Sequence, residues 1–258
     1  MSSPSLPRIE INIDCAESFG HWSCGPSDEL LMPMIDVANV ACGGHAGDPV
    51  IMRRTIAAAK KHGIKVGAHP GFPDKVGFGR RLLVMTPEQA YAEVLYQVGA
   101  LKVFLDEAGL PLNHIKPHGM WYILMQTDEA FNDATMRAIK HFNVPLYGLP
   151  NTLHQTGAAK HGIPFIPEAF VDLNYSNAGH LLGVAQSNPM TPEYIYGVTK
   201  KLGTTGVLPS VTGEELDIGV KGGPFSVCIH SDFEKCVENL KAARRAVDEV
   251  NAELYTGR

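Results

Sequence analysis

Four histidines in the sequence each follow a short apolar run and stand beside glycine, proline or serine. They are His45, His69, His118 and His230. Short, nearly continuous apolar runs are typical of strands that are buried on both faces. If these strands are parallel, the histidines at their ends converge on one site, at the end where α/β barrels carry their chemistry. The alternative is a set of unrelated core or loop histidines, since histidine is commonly half-buried.

A carboxylate ends the first apolar stretch of the chain. This stretch alternates polar and apolar side chains, which predicts a strand with Asn12 and Asp14 on the same face. We predict Asp14, His45 and His69 as ligands of a divalent metal ion, because such ions take carboxylate and imidazole ligands and a hydrolytic site leaves one position for water. The spacing matches no short metal motif. A metal-free site, in which the histidines bind substrate, is the alternative.

Lys116 precedes Pro117 and His118 at the end of an otherwise apolar stretch. A lysine is costly to bury unless it is paired. Lys116 therefore stabilises a developing oxyanion, holds an anionic substrate group, or pairs with Asp14 or Glu17. We predict Asp14, Glu17 and Lys116 as catalytic residues, with Asp14 as general base or as a ligand of the metal that activates water.

Further residues have the chemistry of substrate contacts. Those that we predict are Asn12, Arg80, His118 and Glu168. Arg80 and Arg81 lie in a glycine-containing loop and could bind a carboxylate or phosphate, although for Arg81 we prefer a solvated position. Glu168 and Asp172 lie near another predicted strand end, where paired carboxylates either do acid–base work or are simply solvated. Asn12 either orients substrate or caps a neighbouring turn.

The composition is that of an ordinary globular protein. The 258 residues are 45% hydrophobic and 19% charged, with a net charge of −5, so no basic field attracts nucleic acid or anionic lipid. No uninterrupted apolar stretch approaches the roughly 20 residues that span a bilayer, and residues 1–7 indicate a disordered arm, not a signal peptide. Five irregularly spaced cysteines match neither a disulfide pattern nor a zinc motif, and we expect reduced thiols in a cytoplasmic protein.

Predicted strands alternate with helices along the chain, which indicates a single α/β domain over residues 1–258 with a parallel sheet. Seven strands are predicted, the first over residues 8–14 and the fourth ending at Lys116. A strand over residues 144–148 is weakened by its proline. Residues 176–189 show no clear period and are predicted to form a loop over the site. Four helices are predicted to begin at the capping residues Asp28, Asp48, Thr86 and Thr191.

Four sequence blocks together resemble the LamB/YcsF family, which includes the A subunit of bacterial 5-oxoprolinase. The blocks are Ile11–Gly20, Ala38–Pro49, Gly67–Asp74 with Gly77–Arg81, and Lys116–Gly119. The resemblance extends over about residues 9–230. It implies a barrel of the glycoside hydrolase/deacetylase type with about seven strands. It also implies ATP-dependent opening of the 5-oxoproline lactam to glutamate, with partner subunits.

The sequence departs from the family pattern at several positions. Ile123 stands where the family usually has asparagine, and Leu173 stands where it usually has arginine. A second arginine, expected near Gly183, is also missing. If these arginines bind a substrate carboxylate or phosphate, the substrate of this protein is a larger and less acidic lactam, amide or related ring.

We therefore predict a hydrolase that opens a cyclic amide, either 5-oxoproline or a related lactam. Water attacks the ring carbonyl, directly or through an activated-phosphate route that uses ATP. The predicted cofactors are a divalent metal ion and ATP, and the predicted partners are a lactam or amide substrate and further subunits. Two alternatives are a metal-dependent, deacetylase-like amidohydrolase and a non-catalytic subunit that binds a small molecule.

Overall fold

The computed structural model describes residues 9–256, so the arm predicted for residues 1–7, and Arg8, lie outside the described residues. The strands are β1 (Ile9–Cys15), β2 (Val37–Ala41), β3 (Lys65–His69), β4 (Leu146–Gly148), β5 (Phe165–Phe170), β6 (Val207–Pro209), β7 (Glu215–Asp217) and β8 (Phe225–Ile229). The helices are α1 (Asp28–Leu31), α2 (Pro49–His62), α3 (Pro87–Ala108), α4 (Gly119–Met125), α5 (Glu129–Lys140), α6 (Leu153–His161), α7 (Pro192–Thr205) and α8 (Cys236–Thr256).

Six parallel strands form the central sheet, in the order β3-β2-β1-β8-β5-β4. The two outer strands of this order are joined through Ile115, which forms parallel bridges to Ala68 of β3 and to Leu146 of β4. The six strands and this bridge supply the seven positions of the predicted barrel, and the predicted fold class is confirmed. The fourth strand is reduced to a single bridging residue, Ile115, because Pro117 lacks the N–H that would extend the ladder.

The strands of the central sheet lie between the barrel interior and the surrounding helices, which cover their two faces. Ile11 and Ile13 of β1 are fully buried in the apolar core, and so are the alternating polar residues Asn12 and Asp14, at 0% and 3% exposure. Since side chains alternate along a strand, the polar pair lies on the opposite face of β1 from the isoleucines. The sheet thus carries polar groups inward to the end of the barrel.

Helix caps follow the predicted sequence pattern at three of four positions. Asp48 accepts hydrogen bonds from two backbone N–H groups of α2, Thr86 forms a capping box with Gln89 at α3, and Thr191 caps α7. The prediction for Asp28 was wrong, because Ser27 is the N-cap of α1. The Asp28 carboxylate instead accepts the N–H of Ala16 at 3.1 Å.

Two short helices, α4 and α6, were not predicted from the sequence. The predicted loop over residues 176–189 is confirmed, with one 3-10 turn at Val184–Gln186. Strands β6 and β7 form a small antiparallel sheet outside the barrel. Among residues 9–256, no helix combines the length and apolar character needed to cross a membrane.

Candidate active site

A cavity of about 400 Å³ opens at the C-terminal ends of the barrel strands. Its lining includes five of the predicted site residues and one further strand-end histidine. The five are Asp14, His69, Arg80, Lys116 and His118, and the further histidine is His230. His45 lies directly behind, with its ring stacked on that of His118 at 3.6 Å between centroids. The structure therefore brings the strand-end histidines together, as the sequence pattern indicated.

Glu17, His45, His69 and His118 form a buried cluster, which we call the His/Glu cluster. One ligand atom from each residue lies within 4.8 Å of the ligand atoms of the other three. Glu17 Oε1 is 3.2 Å from His45 Nε2 and 3.5 Å from His118 Nδ1. Two predicted metal ligands, His45 and His69, belong to the cluster. The third, Asp14, lies beside it, with Oδ2 3.3 Å from His69 Nε2.

Backbone turns bring the members of the cluster together. The chain reverses at Ala16, whose φ of 59° lies in the left-handed region, and this turn points Glu17 at His45. Gly79 has a φ of +64°, and a Cβ there would lie 2.7 Å from His45 Cβ and 2.8 Å from His118 Cδ2. Glycine at position 79 therefore lets the loop close over the two stacked rings.

Hydrogen bonds to backbone carbonyls fix the tautomers of two cluster histidines. His69 Nδ1 lies 2.6 Å from the carbonyl oxygen of Lys116, and His118 Nε2 lies 2.8 Å from that of Phe78. A carbonyl only accepts, so these nitrogens carry the N–H when the rings are neutral. The inward nitrogens, His69 Nε2 and His118 Nδ1, then present lone pairs to each other at 3.0 Å.

The arrangement fits a bound divalent cation. Burial lowers the pKa of His45 and of His118, and the neighbouring histidine rings lower both further. Neutral imidazoles with facing lone pairs repel each other unless a cation or proton lies between them. Two ligands about 2.1 Å from a tetrahedral zinc ion are roughly 3.4 Å apart. Three of the separations between cluster atoms, 3.0, 3.2 and 3.5 Å, are close to that value, and all of the separations are at most 4.8 Å.

Lys116 and Asp14 form a buried ion pair next to the cluster. Lys116 Nζ lies 3.3 Å from Asp14 Oδ1 and 2.8 Å from Glu168 Oε1, and all three side chains are at most 4% exposed. Burial raises the pKa of Asp14, but His69 and Lys116 more than offset it and hold that pKa well below its ordinary value. Burial lowers the pKa of Lys116, yet Asp14 and its other neighbours raise it well above the ordinary value. Both groups are therefore charged.

Two predicted substrate contacts lie beneath the cavity and do not line it. Asn12 is fully buried, accepts a hydrogen bond from Lys116 Nζ at 2.9 Å and donates one to Ser226 at 2.7 Å. Glu168 is also fully buried and contacts Lys116. Both residues support Lys116 from below. The ion pair between Lys116 and Asp14, one of those that the sequence suggested, is present. The second carboxylate that contacts Lys116 is Glu168, not Glu17.

The arginines of the loop after β3 differ in their surroundings. Arg80 lines the cavity, but its guanidinium forms two hydrogen bonds to Asp232, at 2.5 and 3.0 Å. Arg81 pairs with Asp74, and its side chain is 60% exposed. This exposed position agrees with the solvated position that we predicted for Arg81. Arg80 therefore reaches the cavity as half of an ion pair.

A second pair, Asp172 and His230, was not recognised as a unit from the sequence. Asp172 accepts a hydrogen bond from the backbone N–H of His230 at 2.6 Å and contacts its Nδ1 at 3.0 Å. Burial lowers the pKa of His230, but the Asp172 carboxylate raises it by more. The pKa of His230 therefore lies above the ordinary histidine value. Both residues follow predicted strands, yet 58 positions separate them. Only the barrel topology, which places β5 beside β8, pairs them.

One wall of the cavity is apolar. The residues of this wall, which we call the apolar wall, are Met120, Ile123, Phe170, Leu173, Leu181 and Val184. Ile123 and Leu173, where the sequence departs from the family pattern, lie in this wall, and Gly183 adjoins it. A Cβ on Gly183 would lie 3.5 Å from Ile123 Cδ1. Three positions that are distant in sequence therefore meet at one surface of the cavity.

The fold and the site define an α/β-barrel protein with a buried His/Glu cluster at the C-terminal ends of its strands. The model of the LamB/YcsF family matches residues 9–257, and the chain belongs to this family. It is 41% identical to the lactam utilization protein lamB of Emericella nidulans, over 96% of this chain and 98% of that protein. It is 39% identical to the A subunit of 5-oxoprolinase from Vibrio vulnificus, over 93% and 97% of the two chains.

A solved structure has the same fold. The lactam utilization protein from Thermus thermophilus superposes with a TM-score of 0.85 at 36% identity, covering 94% of this chain and 96% of that one. The similarity in sequence and in structure therefore extends over almost the whole length of the chain.

Proposed function

We propose that this protein is a metal-dependent hydrolase that opens the C–N bond of a cyclic amide. The facing lone pairs of His69 and His118, beside the Glu17 carboxylate, carry the proposal, because a divalent ion satisfies all three groups at once. The names of the relatives, which refer to lactam utilization and to 5-oxoprolinase, support a lactam as the substrate class.

The residues around the cavity suggest how the chain assists this reaction. Glu17, His69 and His118 would hold the ion and leave the fourth tetrahedral position for water, and the ion when bound would polarise the amide carbonyl and activate that water. His45 would support this set from behind, through its contact with Glu17. Asp14, whose pKa lies well below its ordinary value beside the Lys116 ammonium, accepts the proton that the attacking water loses.

Bond cleavage needs a proton at the ring nitrogen. The C–N bond breaks as His230 donates this proton, and Asp172 orients the imidazole for the transfer. The product is the open-chain amino acid. Lys116, which also lines the cavity, is the predicted donor to the carbonyl oxygen, and its Nζ also orients Asp14.

Further subunits and ATP belong to the same proposal. Relatives that are named as one subunit of 5-oxoprolinase support partner chains for this protein as well. An ATP-dependent route would activate the lactam oxygen by phosphorylation before water attacks. Turnover should therefore be assayed on the chain alone and with its co-purifying partners, in each case with and without Mg-ATP.

Metal analysis tests the proposal directly. The purified chain should hold one equivalent of a divalent ion, and chelation should remove the ion together with the activity. Histidine ligands must be neutral to bind metal. Because the pKa of His45 and of His118 is lowered, the ion should stay bound until the pH is below the ordinary histidine value of about 6.5. His69→Gln should reduce the metal content well below one equivalent.

His62→Gln is the matched control, since His62 is exposed at the end of α2, and it should retain the ion. A metal-free preparation with full activity would contradict the proposal. A chain that binds lactam and co-purifies with a partner, but shows no turnover in any combination, would instead identify a non-catalytic subunit.

A further inference from the structure

The cations beside the cavity are already paired with carboxylates. Among the residues that line it, the lysines and arginines are Lys116 and Arg80. Lys116 contacts both Asp14 and Glu168, and Arg80 forms two hydrogen bonds to Asp232. A substrate carboxylate would therefore compete with a carboxylate of the protein for either cation.

Carboxylates outnumber the fixed cations around this site. Five acidic side chains lie at the cavity or contact its lining residues: Asp14, Glu17, Glu168, Asp172 and Asp232. Two permanent cations, Lys116 and Arg80, lie among them. Even a divalent metal ion and a protonated His230 would only balance these carboxylates, so no cation is left over for a further negative group. A substrate carboxylate brought into this site would therefore lose hydration without gaining a free counter-charge.

The apolar wall favours a different kind of substrate group. Phe170, Leu173 and Leu181 line the cavity and are at most 6% exposed, so they offer a substrate apolar surface and no hydrogen-bond partner. A carboxylate against this wall would lose hydration without gaining a partner. A hydrocarbon group gains from the same contact, and the cavity of about 400 Å³ is within the usual range for small-molecule sites.

We propose, on the basis of the lactam hydrolase function above, that the substrate is an uncharged lactam with a hydrocarbon substituent or an enlarged ring. Ile123 and Leu173 select this substrate and discriminate against the carboxylate of 5-oxoproline. Leu173 is the position with the largest effect, because it adjoins Asp172 in the chain and faces the cavity. The lactam ring would lie between the His/Glu cluster and His230, with its substituent on the apolar wall.

Two ligands that share one ring isolate the effect of charge. These are 5-oxoproline and 2-pyrrolidinone, which lacks the carboxylate. Calorimetry on the metal-loaded full chain should show that 2-pyrrolidinone binds at least about ten-fold more tightly than 5-oxoproline. A 5-alkyl-2-pyrrolidinone should bind on the order of ten-fold more tightly again, as expected when methylene groups enter an apolar pocket.

Leu173→Arg should reverse the preference, because it introduces an unpaired cation at the apolar wall. The variant should bind 5-oxoproline at least about ten-fold more tightly than the unmodified chain does, and the alkyl lactam less tightly. Leu173→Met is the matched control, because it keeps an apolar side chain of similar volume and should keep the original preference.

The binding readout separates this proposal from the proposed hydrolysis. Equal or tighter binding of 5-oxoproline by the unmodified chain would overturn the selectivity, even if the protein hydrolyses lactams. A retained preference for the alkyl lactam without turnover would support the selectivity and count against the hydrolase. Failure of all three lactams to bind would overturn both.

Discussion

Replacing Lys116 with methionine should destabilise the folded protein by about 3–5 kcal/mol, because it leaves buried carboxylates without their counter-charge. Asp14 and Glu168 both contact Lys116 Nζ, and all three side chains are at most 4% exposed. Methionine keeps an apolar stem of similar length, so lost packing contributes little. The measurement is denaturant unfolding of the metal-free chain at neutral pH, where Asp14 is ionised in the native state.

A second substitution identifies the source of the loss. Glu168→Gln removes one of the two stranded charges, so the double variant Lys116→Met with Glu168→Gln should recover part of the lost stability. Lys102→Met is the matched control, since Lys102 pairs with Asp106 on the exposed surface of α3 and such pairs contribute little. Equal losses for Lys116→Met and Lys102→Met would refute the structural role.

The same variant tests the predicted oxyanion role of Lys116. The Nζ contacts Asn12 at 2.9 Å and Cys228 Sγ at 3.0 Å, in addition to the two carboxylates, so its three protons already face four neighbours. An oxyanion donor would have to give up one of these contacts as charge develops. A variant with normal stability and a kcat lower by about 100- to 1000-fold would favour the oxyanion role over the ion pair.

Much of the barrel was predictable because it depends on local patterns. Short buried strands, helix caps at Asp48, Thr86 and Thr191, and histidines at strand ends are all visible within a few residues of sequence. The reduction of the fourth strand to the single residue Ile115 was not predictable, because its two bridges depend on how β3 and β4 approach it from both sides. The short helix α4 follows directly on Pro117 and His118 and has too few residues for a reliable period.

The composition of the site was less predictable than its position. Strand-end placement indicated that Asp14, His69 and His118 would meet, and they do at the cavity. It did not indicate that Glu17, rather than Asp14, would join the three histidines, because this depends on the left-handed turn at Ala16.

The predicted substrate contacts could not be judged from strand-end placement alone either. Asn12 and Glu168 have the right chemistry for substrate, but both are 0% exposed. Asn12 hydrogen-bonds to Lys116 and Ser226, and Glu168 lies 2.8 Å from Lys116 Nζ. Whether a polar side chain at a strand end faces the cavity or the interior beneath it depends on the barrel as a whole. The pairing of Asp172 with His230 depends in the same way on strand order, which residue spacing does not specify.

Asp172 and His230 have the surroundings that a proton donor to a leaving nitrogen requires. The His230 ring lies between Phe170 and Phe233, at 5.8 and 5.0 Å between centroids, and Asp172 holds its Nδ1. The ring is fixed by these contacts while it still lines the cavity. A fixed imidazolium loses little freedom when it donates a proton, which favours efficient acid catalysis.

Replacing His230 with glutamine should lower kcat for lactam opening by about 100- to 10,000-fold, the usual contribution of a general acid, with little change in KM. Because Asp172 raises the pKa of His230, the protonated acid persists above the ordinary histidine pKa, and kcat falls as pH rises through the raised value. Asp172→Asn should lower that pKa and move the basic limb of the pH profile to lower pH. Steady-state kinetics across the pH range measure both effects.

The nature of the leaving nitrogen separates proton donation by His230 from a structural role. An N-aryl lactam, whose leaving nitrogen needs less protonation, should lose less activity than an N-alkyl lactam in His230→Gln, because the missing acid matters less to it. His21→Gln, at an exposed position, should leave every readout unchanged. Equal losses for alkyl and aryl lactams, with an unmoved pH profile in Asp172→Asn, would exclude His230 as the proton donor.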